Sequence, residues 1–165
     1  MAMQAVCRRY VETFNRRHGR RGTMWRGEYR ATVIEPDRYF LLASQAIDHA
    51  PVRNRLVVEP GHYPWSSYTH HVGLRVDSFT KDHPLHRALG NTPSERHQAY
   101  RALCAQALDE RDVDNLMQST LKGWVLGSAT YCEWAAQTAN RRLMPLLLRD
   151  RPRKVQTTRA LEHVG

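Results

Sequence analysis

Nine histidines and three cysteines are the side chains of this 165-residue chain best suited to bind metals or act as nucleophiles. The histidines stand at positions 18, 49, 62, 70, 71, 83, 86, 97 and 163. None forms a His-x-His pair, and neither H-E-x-x-H nor a zinc-finger spacing occurs. His83 and His86 are closely spaced, but Pro84 between them implies a turn, and adjacent His70 and His71 point in different directions in any regular element. No metal site is expected. Cys7, Cys104 and Cys132 are odd in number and far apart, which argues against a disulfide framework and for a reducing, cytoplasmic setting. G-x-S-x-G, Walker and G-x-G-x-x-G motifs are absent. Gly19-Arg20-Arg21-Gly22 lacks the Lys-Ser/Thr of a phosphate loop, yet its backbone and guanidinium forks suit a nucleic-acid phosphate.

Arginine carries the stronger signal. The formal net charge is +9, and of the 25 basic residues only Lys81, Lys122 and Lys154 are lysine. Residues 1–30 hold eight arginines against Glu12 and Glu28, a net of +6. Residues 31–140 hold ten basic and twelve acidic groups, a net of −2, and residues 141–154 hold six basic groups against Asp150, a net of +5. A planar guanidinium fork fits phosphate bidentately, so two arginine-dense blocks point to a polyanion, nucleic acid first. Trp25 and Tyr29 are interleaved with Arg20, Arg21, Arg26 and Arg30, as suits a surface where bases stack and phosphates pair. The candidate nucleic-acid contacts are Arg16, Arg17, Arg20, Arg21, Trp25, Arg26, Arg30, Arg53, Arg141, Arg142, Arg151, Arg153 and Lys154.

The elements that must position these residues follow from periodicity. Val6, Tyr10 and Phe14 predict a helix over 3–15, and alternation predicts an extended stretch over 24–35. Asp37 is the expected N-cap of a helix to about Ala50, stopped by Pro51. Residues 59–91 read as a loop-rich connection pinned by Trp65 and Tyr68. Thr92-Pro93-Ser94-Glu95 is a capping box with proline at the first helical position, opening a helix to about Leu108. A third helical stretch spans 113–121 and stops at Gly123, and a fourth runs from Ala129 to about Leu148. This gives a mixed unit at 1–58, the connection at 59–91, a helical unit at 92–149 and a basic tail at 150–165. The helical unit suits a helix-turn-helix whose recognition helix starts near Ser128, or an ordinary three-helix module. No signal peptide is expected from the opening residues, and the sequence holds no membrane-length apolar run.

Several segments carry a family resemblance in order along the chain. They are residues 10–20, with Asn15-Arg16-Arg17-His18-Gly19-Arg20, and 22–30, with Trp25-Arg26-Gly27-Glu28-Tyr29-Arg30. Asp37-Arg38-Tyr39, Ala50-Pro51-Val52-Arg53, Tyr63-Pro64-Trp65-Ser66-Ser67-Tyr68, His83-Pro84-Leu85 and Gly123-Trp124-Val125-Leu126-Gly127-Ser128 follow. Together they resemble the REP-associated tyrosine transposases, bacterial relatives of the single-tyrosine HUH transposases. The resemblance implies an α+β fold: a ferredoxin-like HUH remnant of helix, short strands and helix, followed by a mostly helical C-terminal extension. It also implies a DNA partner, hairpin or single-stranded, from repetitive extragenic elements. Such enzymes attack DNA with a tyrosine, aided by a divalent cation such as magnesium or manganese held by a His-hydrophobic-His pair.

The departures fall on the chemistry. The family's His pair lies upstream of the segment matching Met1, so the chain is expected to be truncated relative to the family, or its start misplaced. Ala46 occupies the nucleophile's place, and Ala50 that of an asparagine completing the metal shell. Residues four apart share a helix face, so both losses meet on one surface. His49 lies about a quarter-turn away, a poor substitute ligand, and Tyr39 lies roughly 10 Å before Ala46 along a helix. The expectation is a DNA-binding protein of the transposase family that uses no cofactor and is catalytically inactive alone. The alternatives are a non-functional structural remnant, or a transposase active only with a partner supplying the His pair and tyrosine.

Overall fold

The computed structural model describes residues 2–140 together with 143 and 144. Among the described residues it is helical, and this corrects the α+β expectation. There is no sheet, only one isolated parallel bridge between Ile34 and Leu126. The alternation over 24–35 had suggested a strand, but a strand needs a neighbour to take its N–H and C=O groups. Here the backbone of Leu126 alone pairs with this stretch among the described residues, its N–H donating to the Val33 carbonyl (3.0 Å) and its C=O accepting from Glu35 N–H (2.8 Å). No ferredoxin-like remnant is present among these residues.

α1 spans Ala2–His18, longer than its periodicity predicts, and buries no residue. α2 spans Pro36–Asp48. Its N-cap is Glu35 rather than Asp37, because Pro36 takes the first helical position, where a missing N–H costs nothing. Glu35 does not cap α2 with its side chain; its carboxylate accepts from the N–H and hydroxyl of Ser128 at 2.7 and 3.0 Å. α2 ends at Asp48, so Pro51 lies just past its end, as the sequence allows. It lies in the first turn of a further one-turn helix, α3 (Ala50–Arg53).

The connection contains a short 3-10 turn (Pro60–His62) and two one-turn helices, α4 (Tyr68–His71) and α5 (Pro84–Arg87). α6 spans Pro93–Ala105 and begins with the predicted capping box, in which Glu95 N–H donates to Thr92 Oγ1 and the Glu95 carboxylate accepts from Thr92 N–H. It ends before the expected Leu108. α7 spans Glu110–Lys122 and closes on Gly123, whose φ of +66° is the left-handed cap that glycine adopts without penalty. α8 spans Ala129–Thr138, ending short of the expected Leu148, and Ser128 caps it by accepting from Tyr131 N–H.

Two small cores hold these helices. Val72, Tyr100 and Cys104 form one, with Tyr68, Leu89 and Leu103 packed against it. Val125, Cys132, Ala135 and Leu143 form the other, with Tyr131 and Met144. Bonds run between the units marked out by sequence. Gln45 Nε2 donates to the carbonyls of Leu103 and Gln106, tying α2 to the end of α6. Tyr131 OH donates to Ile34 O and the Thr32 hydroxyl to Trp124 O, tying the start of α2 to α8. Among the described residues no helix is long and apolar enough to cross a membrane.

Candidate functional site

The arginine-rich stretch is a surface built on α1 and the loop that follows it. Val6, Tyr10, Phe14 and His18 recur every four residues, so one helical face carries them all. That face meets the returning loop instead of a protein core. Tyr10 lies against Phe14 and Trp25 with ring centroids 6.1 and 5.9 Å apart, and Phe14 against His18 at 4.3 Å. The loop is turned back by Arg20 N–H donating to Asn15 O (2.9 Å) and by Asn15 Nδ2 donating to Gly22 O (2.8 Å). Tyr10, Trp25 and Tyr29 remain about half exposed, at 50%, 47% and 58%.

Arg16, Arg17, Arg20, Arg21, Arg26 and Arg30 are all exposed on α1 and this loop. Arg20 lies over the Phe14 ring at 6.0 Å. The other five have no side-chain hydrogen bond, ion pair or ring contact among the described residues. The close contacts of a carboxylate with a basic side chain found there all involve histidine, so among the described residues no guanidinium is neutralised by a carboxylate. A cleft of about 500 Å³ opens between α1 and the loop, lined by Met3, Gln4, Cys7, Trp25, Arg26 and Tyr29 among others. Its charged lining is one cation, Arg26, and one carboxylate, Glu28, beside the two aromatic walls Trp25 and Tyr29.

Other predicted contacts fall elsewhere. Arg53 is exposed but spends a donor inside the fold, on Ala46 O at 2.6 Å. Arg141, Arg142, Arg151, Arg153 and Lys154, with the basic tail, lie outside the described residues. Residues 123–128 join α7 to α8, a longer connection than the tight turn of a helix-turn-helix.

The position matching the family's nucleophile is closed off. Ala46 is 3% exposed, with its carbonyl capped by Arg53, and Ala50 is half-buried. His49 points into a cleft of about 560 Å³ with Arg53 and Cys104, and its Nε2 is buried without a hydrogen bond. Burial, then the nearby Arg53 charge, lowers the His49 pKa.

Sequence spacing did not anticipate a second constellation, centred on Asp48. This carboxylate is fully buried. It accepts from Tyr100 OH (2.8 Å) and Ser67 Oγ (2.9 Å), and His71 Nδ1 lies 3.3 Å away. Burial, reinforced by Asp48, pushes the Tyr100 phenol far up, which keeps it a donor. His86, His71 and Tyr100 form a triangle of tilted and edge-on rings, with His86 4.6 Å from His71 and 5.0 Å from Tyr100, and His71 5.1 Å from Tyr100. Burial, then the neighbouring His71, pushes the His86 pKa down to about 4, so its imidazole is neutral near pH 7. His97 closes the same region, and a Cβ at Gly73 (φ +74°) would collide with its ring. The clue in the sequence was a density of histidines between 70 and 97, without a recognised interval.

No protein-family model matches the chain, and neither a curated protein nor a solved structure matches it.

Proposed function

We propose that this chain is a DNA-binding protein related to the REP-associated tyrosine transposases, gripping single-stranded or hairpin DNA with α1 and the loop at 19–30, and performing no strand cleavage of its own. The observation that carries the reading is the unpaired arginine set on the same helix and loop as half-exposed Tyr10, Trp25 and Tyr29. Guanidiniums without carboxylate partners lose no internal ion pair when they meet phosphate, and the rings offer sequence-tolerant stacking platforms. Inactivity follows from Ala46. A methyl group cannot attack phosphorus, and its place is enclosed by protein.

A salt titration of binding to a DNA stem-loop with a single-stranded tail tests the reading. Affinity should fall linearly with salt on a logarithmic scale, by about 0.7 to 0.9 in slope for each phosphate neutralised. Arg20→Ala with Arg21→Ala should flatten that slope by about 1.4 to 1.8. Absence of binding at low salt, or an unchanged slope in the double variant, would refute the assignment.

A further inference from the structure

Three side chains away from the arginine surface converge from short elements: His71 at the end of α4, Asp82 just before α5, and His86 within α5. One ligand atom from each lies within 4.8 Å of the others. His86 Nδ1 stands 3.4 Å from Asp82 Oδ1. Two donors held 2.0–2.1 Å from a tetrahedral ion stand about 3.4 Å apart, so this edge already has the required length.

His86 supplies an independent observation. It is 2% exposed, and neither ring nitrogen makes a hydrogen bond. Buried polar atoms ordinarily find partners, and an imidazole with both nitrogens unmatched lacks something to bind. The other two side chains are oriented from behind. His71 Nδ1 faces Asp48 Oδ2, which leaves Nε2 for an ion, and Asp48 is itself fixed by Tyr100 and Ser67. His70 Nδ1 accepts from Asp77 N–H, which puts its proton on Nε2, 3.6 Å from Asp82 Oδ1. A carboxylate behind a histidine ligand, and a donor behind a carboxylate ligand, are the supports metal sites use to fix their first ligands.

We propose that His71, Asp82 and His86 bind one divalent transition-metal ion of the zinc type, with a fourth position open to water beside Asp82. Two imidazoles and one carboxylate are a donor set for zinc or cobalt; magnesium and calcium prefer oxygen alone. Asp82 is 30% exposed, which provides the path in. The ion would act as a clamp. α4 and α5 have four residues each, far below the length at which a helix is stable alone, and a shared ion joins them across the irregular stretch between. The proposal is independent of DNA binding.

The test uses the full chain, freed of metal and titrated with cobalt(II) alone. One equivalent should bind and develop the strong visible absorption of a four-coordinate site. Zinc should displace it and raise the melting temperature, and a chelator should reverse the rise. Asp82→Asn and His71→Gln should each weaken cobalt binding about tenfold or more, and His62→Gln, an exposed histidine elsewhere, should not. Asp82→Asn keeps the size of a partly exposed side chain, and far-UV circular dichroism verifies that it folds. Failure to take up cobalt, or an affinity in Asp82→Asn and His71→Gln equal to that of the unaltered chain, would overturn the site.

Discussion

The arm formed by α1 with its loop and the body formed by α2 to α6 handle polar groups in opposite ways. In the arm eight arginines accompany a helix with no buried residue, and none has a carboxylate partner among the described residues. In the body a fully buried carboxylate gathers a tyrosine, a serine and a histidine, and a glutamine staples two helices together. Unmatched charge in water costs little, whereas unmatched charge in a core costs several kcal/mol. The arm therefore has cations to spare for something outside the molecule. The body's polar groups are committed, with His49 and His86 among its few orphans. Substitutions in the body should then change stability and leave DNA affinity alone, and those in the arm should do the reverse.

The sharpest way to break that contrast is Asp48→Ala. It strands the Tyr100 and Ser67 hydroxyls and the His71 ring, and should lower unfolding free energy by about 3–5 kcal/mol in urea titrations. Ala46→Tyr comes next. The side chain must enter a packed site, which should cost about 1–3 kcal/mol, and a nicking assay with magnesium or manganese should still show no cleavage. Trp25→Ala should reduce stem-loop affinity by about 1–3 kcal/mol with an unchanged melting temperature; a destabilised variant would mean that the arm belongs to the core after all. Gly123→Ala, at a positive φ, should cost about 1 kcal/mol in thermal unfolding without altering DNA binding.

The smallest effect concerns pH. Hydrogen bonds from Asn91 and Thr92 N–H groups hold the Glu95 carboxyl below its ordinary value. The unfolded chain thus takes up this proton first on acidification. The stabilisation from the capping box is complete above the ordinary glutamate pKa and fades as pH falls below it through the folded value. Glu95→Gln should remove that part of the acid dependence, measured as melting temperature between pH 3 and 6.

Local signals in the sequence carried over where the physics is local. Thr92 and Glu95 satisfy each other's backbone groups within one turn, so the start of α6 could be read from four residues. Gly123 ended α7 for an equally local reason. Alternation over 24–35 failed because a strand exists only with its partner, and the one available partner is Leu126, far along the chain. Asp37 lost the N-cap because Pro36 claimed the first helical position. Of the candidate arm residues, Trp25 and the six arginines from Arg16 to Arg30 are exposed on α1 and the loop after it, and Trp25 packs against Tyr10 because helix and loop are adjacent in sequence. The Asp48 hub joins residues 48, 67, 71 and 100 through tertiary packing, and no spacing rule reaches across such intervals.

The arm's unneutralised arginines have a further consequence, for how the free protein responds to its solvent. Like charges crowded on one helix and loop repel, and mobile ions relieve that repulsion within about 10 Å at moderate ionic strength. Added salt should therefore steady the arm of the isolated chain while loosening its hold on a polyanion. The conditions that should best steady the arm are the ones under which the proposed hold on DNA should be weakest.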